Sequence, residues 1–175
     1  MLQEKVAIVT GSGRGIGAAT ARLLVGQGYA VCINYRSNRK AAESLRDELE
    51  QKGGRVIAVE ADVSYENQVV ELFNRVDHDL GRVSALVNNA GILLPQMRLD
   101  QMDAVRINHL FSSNVTGYFL CCREAVKRMS TLHGGAGGAI VNVSSVASRT
   151  GSPGEYIDYA ATKGAIDSLT RGLSV

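Results

Sequence analysis

Five short apolar runs divide the chain: Val6 to Val9, Ala30 to Ile33, Val56 to Val59, Val83 to Val87 and Ala139 to Val143. Each is continuous rather than alternating, the pattern of a strand buried on both faces of a parallel sheet. Between them the spacing becomes helical. Ala18, Ala21, Leu24 and Val25 run up to Gly26 and Gly28; Ala41, Leu45 and Leu49 to Gly53 and Gly54; Val69, Leu72, Phe73 and Val76 to Gly81. A glycine just past the last apolar position takes the left-handed conformation that ends a helix. Strand and helix in alternation, joined by short links, predict an α/β fold built on a doubly wound parallel sheet with right-handed crossovers. Between the fourth and fifth runs, Leu99 to Arg128 is predicted as two helices broken near Asn108 to Ser113. A last helical pattern, with Ala161, Ala165, Ile166, Leu169 and Leu173 on one face, reaches Val175 with no strand after it. The fifth strand is then an open edge. The expectation is one domain over Met1 to Val175, incomplete at its C-terminal end, with C-terminal strands missing.

Composition narrows the partners. Nineteen basic and 17 acidic side chains in 175 residues are mixed along the chain, so neither nucleic acid nor an anionic membrane is expected, and a small molecule is. No apolar run approaches the roughly 18 residues of a membrane span. Met1 to Lys5 shows no targeting pattern, and a cytoplasmic protein is expected. Cys32, Cys121 and Cys122 fit no metal-binding spacing with His78, His109 or His133. The cysteines read as reduced core thiols and the histidines as solvated. The glycine-rich Gly134 to Gly138 precedes a strand rather than a helix, and reads as a turn instead of a phosphate loop.

Directly after the first run comes Thr10-Gly11-Ser12-Gly13-Arg14-Gly15-Ile16-Gly17, leading into a helix. Strand, glycine turn and helix N-terminus aim backbone N–H groups and the positive end of a helix dipole at a pyrophosphate. Gly11, Ser12, Arg14, Gly15, Ile16 and Gly17 are the candidate contacts. No lysine follows the glycines, which disfavours an ATP- or GTP-binding P-loop. The second run ends in Asn34-Tyr35-Arg36-Ser37, with no carboxylate to take the adenosine ribose. Arg36 and Ser37 offer charge-assisted bonds to a 2′-phosphate, so NADP(H) is preferred and NAD(H) remains open. Asp62 lies too late for the ribose role and is read as an adenine-side contact.

Tyr159 and Lys163 are four apart on a helix, hence on one face about a turn apart. A unit charge roughly 6 Å from a phenol, at an effective dielectric of about 20, favours the phenolate by on the order of 3 kcal/mol. Such a phenol can trade a proton with an alcohol or carbonyl near neutral pH. The motif alone is common by chance.

Further features accompany it: Asp62-Val63, Asn88-Asn89-Ala90-Gly91 after the fourth run, Asn114, and Ser144-Ser145 after the fifth. Together with the glycine loop and Tyr159-x-x-x-Lys163, in this order, the chain resembles the short-chain dehydrogenase/reductase family. Within it the chain is most similar to 3-oxoacyl-carrier-protein-reductase-like and sugar-dehydrogenase-like members. The resemblance implies a Rossmann fold and NADP(H)-dependent interconversion of a carbonyl and a secondary alcohol. It implies Tyr159 as proton donor or acceptor, with Lys163 supporting it and holding the nicotinamide ribose. Ser145 is implied at the substrate oxygen and Asn114 as holder of a relay water. Asn89, Ala90 and Gly91 are implied beside the cofactor, with Asp62 and Val63 around the adenine. The Ser145 to Tyr159 interval is one residue longer than is common in the family, which leaves Ser144 as the alternative serine. Family members continue past the last helix with two strands and a substrate lid, and pair as homodimers or homotetramers. A second reading is therefore a non-catalytic fragment that binds nucleotide or a partner chain. Leu93, Leu94 and Met97 either line a substrate wall or pack under a loop, and Phe111 and Tyr118 receive no function.

Overall fold

A computed structural model describes residues 5–174 of the protein. Its strands are β1 (Val6–Val9), β2 (Ala30–Tyr35), β3 (Val56–Glu60), β4 (Ala85–Asn88) and β5 (Ala139–Asn142). Its helices are α1 (Gly15–Gly26), α2 (Arg39–Gln51), α3 (Glu66–Asp79), α4 (Ala104–Phe111), α5 (Gly117–Met129), the short α6 (Ala147–Thr150) and α7 (Ile157–Leu173). The strands form one parallel sheet in the order β3-β2-β1-β4-β5, with Ile8 of β1 opposite Cys32 and Leu86. This is the doubly wound architecture that the alternating pattern predicts.

The continuous apolar runs follow from two cores. Successive strand residues point to opposite faces. Ile8, Cys32 and Leu86 meet Leu72 and Phe73 of α3 and Cys121 of α5. Val9, Val31 and Ile33 meet Ala18 and Ala21 of α1 and Leu45 and Leu49 of α2. Each fully buried side chain of the size of Leu72 or Phe73 contributes about 1.5–3 kcal/mol relative to exposure. All three cysteines are buried and unbridged, and burial pushes each thiol up, Cys122 to about 11. His78, His109 and His133 are exposed.

Two expectations are corrected. The fifth run is not buried on both faces: Ala139 and Val141 of β5 are exposed, Val141 at 54%. The helical region after β4 does not break near Asn108 to Ser113. Its helix is continuous, and Ser112–Thr116 forms a π-helical turn between α4 and α5. The register changes there without the chain leaving the helix, which apolar spacing alone reads as a break. Gly134 to Gly138 is a helix-to-strand turn as expected, organised by Arg82, whose guanidinium donates to the carbonyls of Arg128, His133 and Gly134. Among the described residues no helix is long and apolar enough to cross a membrane.

Candidate active site

The crevice lies where the sheet order reverses, between the ends of β1 and β4, the place where open α/β sheets bind ligands. The loop after β1 is held by the segment after β4. Thr10 Oγ1 accepts from the backbone N–H of Asn89 (2.9 Å) and Ala90 (3.0 Å), and the Asn89 amide donates to the carbonyls of Thr10 (2.9 Å) and Gly11 (3.1 Å). Asn34 of β2 closes the other side, its Oδ1 accepting from Gly11 N and its carbonyl from Ser12 N. This close approach requires glycine. A Cβ on Gly17 would lie 2.6 Å from Asn89 Nδ2 and 2.8 Å from Ser12 Cα. Gly15 has a φ of +59° and a Cβ there would face open space. The N-terminus of α1 has no side-chain cap and no acidic residue in its first turn, so its free N–H groups point at the crevice as an anion site.

A cleft of about 530 Å³ opens here, within the range of small-molecule sites. Gly11, Arg14, Gly15 and Ile16 line it at the α1 end, Arg36 and Ser37 after β2, Asp62 and Val63 after β3, and Asn89, Ala90 and Gly91 after β4. Ser12 and Gly17, predicted as contacts, are absent from this lining. Ser12 is fully buried, its hydroxyl donating to Val9 O at 2.7 Å, and Gly17 packs against Asn89. Arg36 is half exposed, with Nη1 4.0 Å from Asp62 Oδ2, and Asp62 Oδ1 accepts from the backbone and hydroxyl of Ser64. The uncapped helix end and the glycine cradle fit the pyrophosphate of a dinucleotide.

Tyr159, Lys163, Ser145 and Asn114 are outside that lining; Asn114 and Lys163 lie against Gly91 at one end of it, and Tyr159 lies beside Lys163. Lys163 is 3% exposed; its Nζ donates to Val143 O at 2.7 Å and to Tyr118 Oη at 3.4 Å, and lies 5.7 Å from the Tyr159 ring centroid. Burial lowers its ammonium from 10.5 to about 8, opposed by the Asp167 carboxylate. A Cβ on Gly91 would sit 3.3 Å from Asn114 Oδ1 and 3.9 Å from Lys163 Nζ, so a side chain there would press on Asn114 and lie in contact with the lysine. Asn114, in the π turn, clamps the next residue: Oδ1 accepts from Ile92 N (2.8 Å) and Nδ2 donates to Ile92 O (2.9 Å) and Thr162 Oγ1 (3.3 Å). Both ends of its side chain therefore already serve the backbone.

The two serines differ. Ser144 Oγ faces two acceptors, Lys163 O at 3.4 Å and the Asp167 carboxylate, and its single proton is taken between them. Ser145 Oγ accepts from Ala147 N at 3.2 Å, and among the described residues nothing takes its proton. No hydrogen bond joins Ser145 to Tyr159 or Lys163 among the described residues.

Three residues that carry the site escape the motif reading. Tyr118 lies against Lys163, and an ion pair of Arg106 Nε with Asp158 Oδ2 (2.8 Å, side chains 10% and 3% exposed) stands directly before Tyr159. Asp158 Oδ1 accepts from Tyr159 N, and Arg106 also donates to Pro95 O, tying α4, α7 and the loop after β4 together. An acid in the first turn of a helix, as at Asp158, is the one signal visible beforehand. Leu93 is 54% exposed and so does not pack under a loop. Among the described residues no group of His, Cys, Asp and Glu could hold a metal ion.

Comparison with known proteins agrees with this architecture. The family model described as short chain dehydrogenase matches residues 5–175. The chain is 59% identical over 170 residues to the uncharacterized oxidoreductase YgfF of Escherichia coli, covering 97% of this chain and 69% of that one. It is 37% identical over 174 residues to a 3-oxoacyl-[acyl-carrier-protein] reductase of Synechocystis, covering 97% and 67%. A mutant of a Serratia marcescens short-chain dehydrogenase/reductase superposes with a TM-score of 0.90 at 30% identity, covering 98% of this chain and 68% of that one. The chain thus spans about two thirds of the length of these relatives. It belongs to the short chain dehydrogenase family of oxidoreductases, whose members bind a nicotinamide cofactor, NAD(H) or NADP(H).

Proposed function

We propose that the protein is an NADP(H)-dependent oxidoreductase that interconverts a carbonyl and a secondary alcohol, with Tyr159 as general acid and base. The observation that carries this reading is the buried Lys163 amine, which has no salt-bridge partner among the described residues and lies 5.7 Å from the Tyr159 ring at the Gly91 end of the cleft. A buried amine without a paired carboxylate is costly to maintain and clusters at functional sites.

Bound NADPH supplies a hydride to the substrate carbon, and NADP⁺ accepts one in the reverse direction. In reduction, Tyr159 gives its phenolic proton to the substrate oxygen. The Lys163 ammonium favours the phenolate left behind, and the proton is then replaced from solvent. Ser145 directs a hydrogen bond from its unclaimed hydroxyl to the same oxygen, where negative charge develops, and keeps its proton. In oxidation the phenolate takes the alcohol proton. The first turn of α1 holds the pyrophosphate, and Asp62 and Val63 flank the adenine. Arg36 and Ser37 bond the 2′-phosphate, Arg36 exchanging its loose contact with Asp62 for a charge-assisted one. Lys163 holds the nicotinamide ribose. A homodimer or homotetramer acting in the cytoplasm on a small carbonyl or alcohol completes the proposal; exposed Phe119 on α5 and Leu173 on α7 support pairing of copies.

The test is loss of NADPH absorbance across a panel of small carbonyl compounds. Carbonyl-dependent turnover that Tyr159→Phe reduces by at least about 10²-fold is expected. An equal rate in Tyr159→Phe would overturn the mechanism. Binding of NADPH without turnover of any carbonyl would instead favour a nucleotide-binding module.

A further inference from the structure

Lys163 is enclosed by elements that bring few charges. α7 contributes Tyr159 and, one turn on, Asp167, whose carboxylate is engaged by the hydroxyls of Ser144 and Ser148 and lies in the field of Arg171 and Arg149. The residue after β5 contributes only the Val143 carbonyl. Gly91 and Asn114, from the loop after β4 and the π turn, are uncharged. α5 contributes Tyr118, with the thiols of Cys121 and Cys122 behind it.

Tyr118 is 1% exposed and meets Lys163 in two ways. Its hydroxyl donates to Val143 O at 3.2 Å, the same oxygen that takes a proton from Lys163 at 2.7 Å, and accepts from Lys163 Nζ at 3.4 Å. Its ring centroid lies 5.2 Å from Nζ, within the range of cation–π attraction. Two of the three ammonium protons are thereby accounted for, and the third is left for the Tyr159 side. We propose that Tyr118 is a positioning residue for Lys163, holding the charged amine on the Val143 carbonyl and turned toward Tyr159. The inference rests on the proposed pairing of Tyr159 with Lys163.

The physical case is one of compensation. A buried ammonium persists only if acceptors replace water. Burial already brings Lys163 to about 8, so the loss of one acceptor tips it to the neutral amine near physiological pH. Burial pushes the Tyr118 phenol above its ordinary value of 10, so it stays a neutral hydroxyl while Lys163 titrates.

The experiment follows the lysine Cε carbon by NMR in the ¹³C-labelled, cofactor-free protein, with the Lys163 signal identified by its loss in Lys163→Met. Lys163 is expected to titrate near 8, and Tyr118 Cζ to report the same midpoint through the shared hydrogen bond. In Tyr118→Phe, which keeps the ring and removes the acceptor, the midpoint falls by about one unit. The pH at which carbonyl reduction declines on the alkaline side falls with it, with kcat lowered several-fold and KM little changed. A residue needed only for packing would lower the rate equally at every pH. An unchanged Lys163 midpoint in Tyr118→Phe overturns the proposal, as does a Tyr118 Cζ signal in the unaltered protein that ignores the Lys163 titration. The second reading holds even if Tyr118→Phe does not fold. Coupled titration without NADPH-dependent turnover would leave Tyr118 positioning the amine and refute the proposed function instead.

Discussion

Replacing Lys163 by methionine should make the protein more stable while removing its activity. The amine is 3% exposed, and its ordinary value of 10.5 is lowered to about 8 by burial. At about 1.36 kcal/mol per pH unit, that difference sets an upper bound of about 3 kcal/mol on the cost of keeping the ammonium inside the fold. The sign follows from proton binding. Between about 8 and 10.5 the unfolded chain holds the Lys163 proton and the folded chain has released it, so this group makes stability rise with pH across that window. Below about 8 both states are protonated and the full cost is present. Methionine fills similar volume, and Tyr118 remains to donate to Val143 O. Chemical denaturation from pH 6 to 10.5 should show Lys163→Met more stable by about 1–3 kcal/mol at pH 7, the advantage shrinking above pH 8. In a domain of this size, this is roughly 2–12 °C in melting temperature. A variant less stable at pH 7, or a difference that does not change with pH, would refute the reasoning.

Three further substitutions probe the scaffold of the site. Gly17→Ala places a Cβ 2.6 Å from Asn89 Nδ2 and 2.8 Å from Ser12 Cα, and should cost about 1–3 kcal/mol in urea unfolding and weaken nucleotide binding. Arg36→Ala should raise the Kd for NADPH by about ten- to a hundredfold in calorimetric titration, consistent with losing one charge-assisted contact, and leave NADH nearly unchanged. Arg106→Met strands the Asp158 carboxylate, 3% exposed, and should cost about 3–5 kcal/mol in the same unfolding assay, most of it recovered when Asp158→Asn is added.

The sheet was legible because strands buried on both faces leave continuous apolar runs, and because glycines mark the helix ends. The two edge strands depart from that logic, β5 exposed at Ala139 and Val141 and β3 only half-buried at Ile57, Ala58 and Val59, since an apolar run does not say which of its faces is covered. The cleft was legible through the order of its motifs: Arg36 and Asp62, read from their places after β2 and β3, line it, and so does Gly91, which the family resemblance implies. Ser12 and Gly17 show where spacing stops. Both belong to the loop, yet their atoms serve Val9 O and Asn89 rather than the cleft, which depends on backbone direction at each residue. The π turn at Ser112–Thr116 was hidden because a single wide turn shifts hydrogen bonds without changing residue types. The choice between Ser144 and Ser145 was open in sequence and becomes a difference in hydrogen bonding, one hydroxyl committed to Lys163 O and Asp167 and the other with its proton unclaimed. Tyr118 could not be found from motifs, because its contact with Lys163 arises from the packing of α5 against the end of β5.

The most direct measurement is a thermal melt of the protein alone, with NADPH and with NADH. A ligand at 100 times its dissociation constant adds about 2.7 kcal/mol, several degrees for a domain of this size. A cooperative transition raised by both cofactors, and more by NADPH, is the result predicted by a cleft that combines the α1 N-terminus with Arg36. A transition that neither cofactor moves, at concentrations up to millimolar, would contradict it.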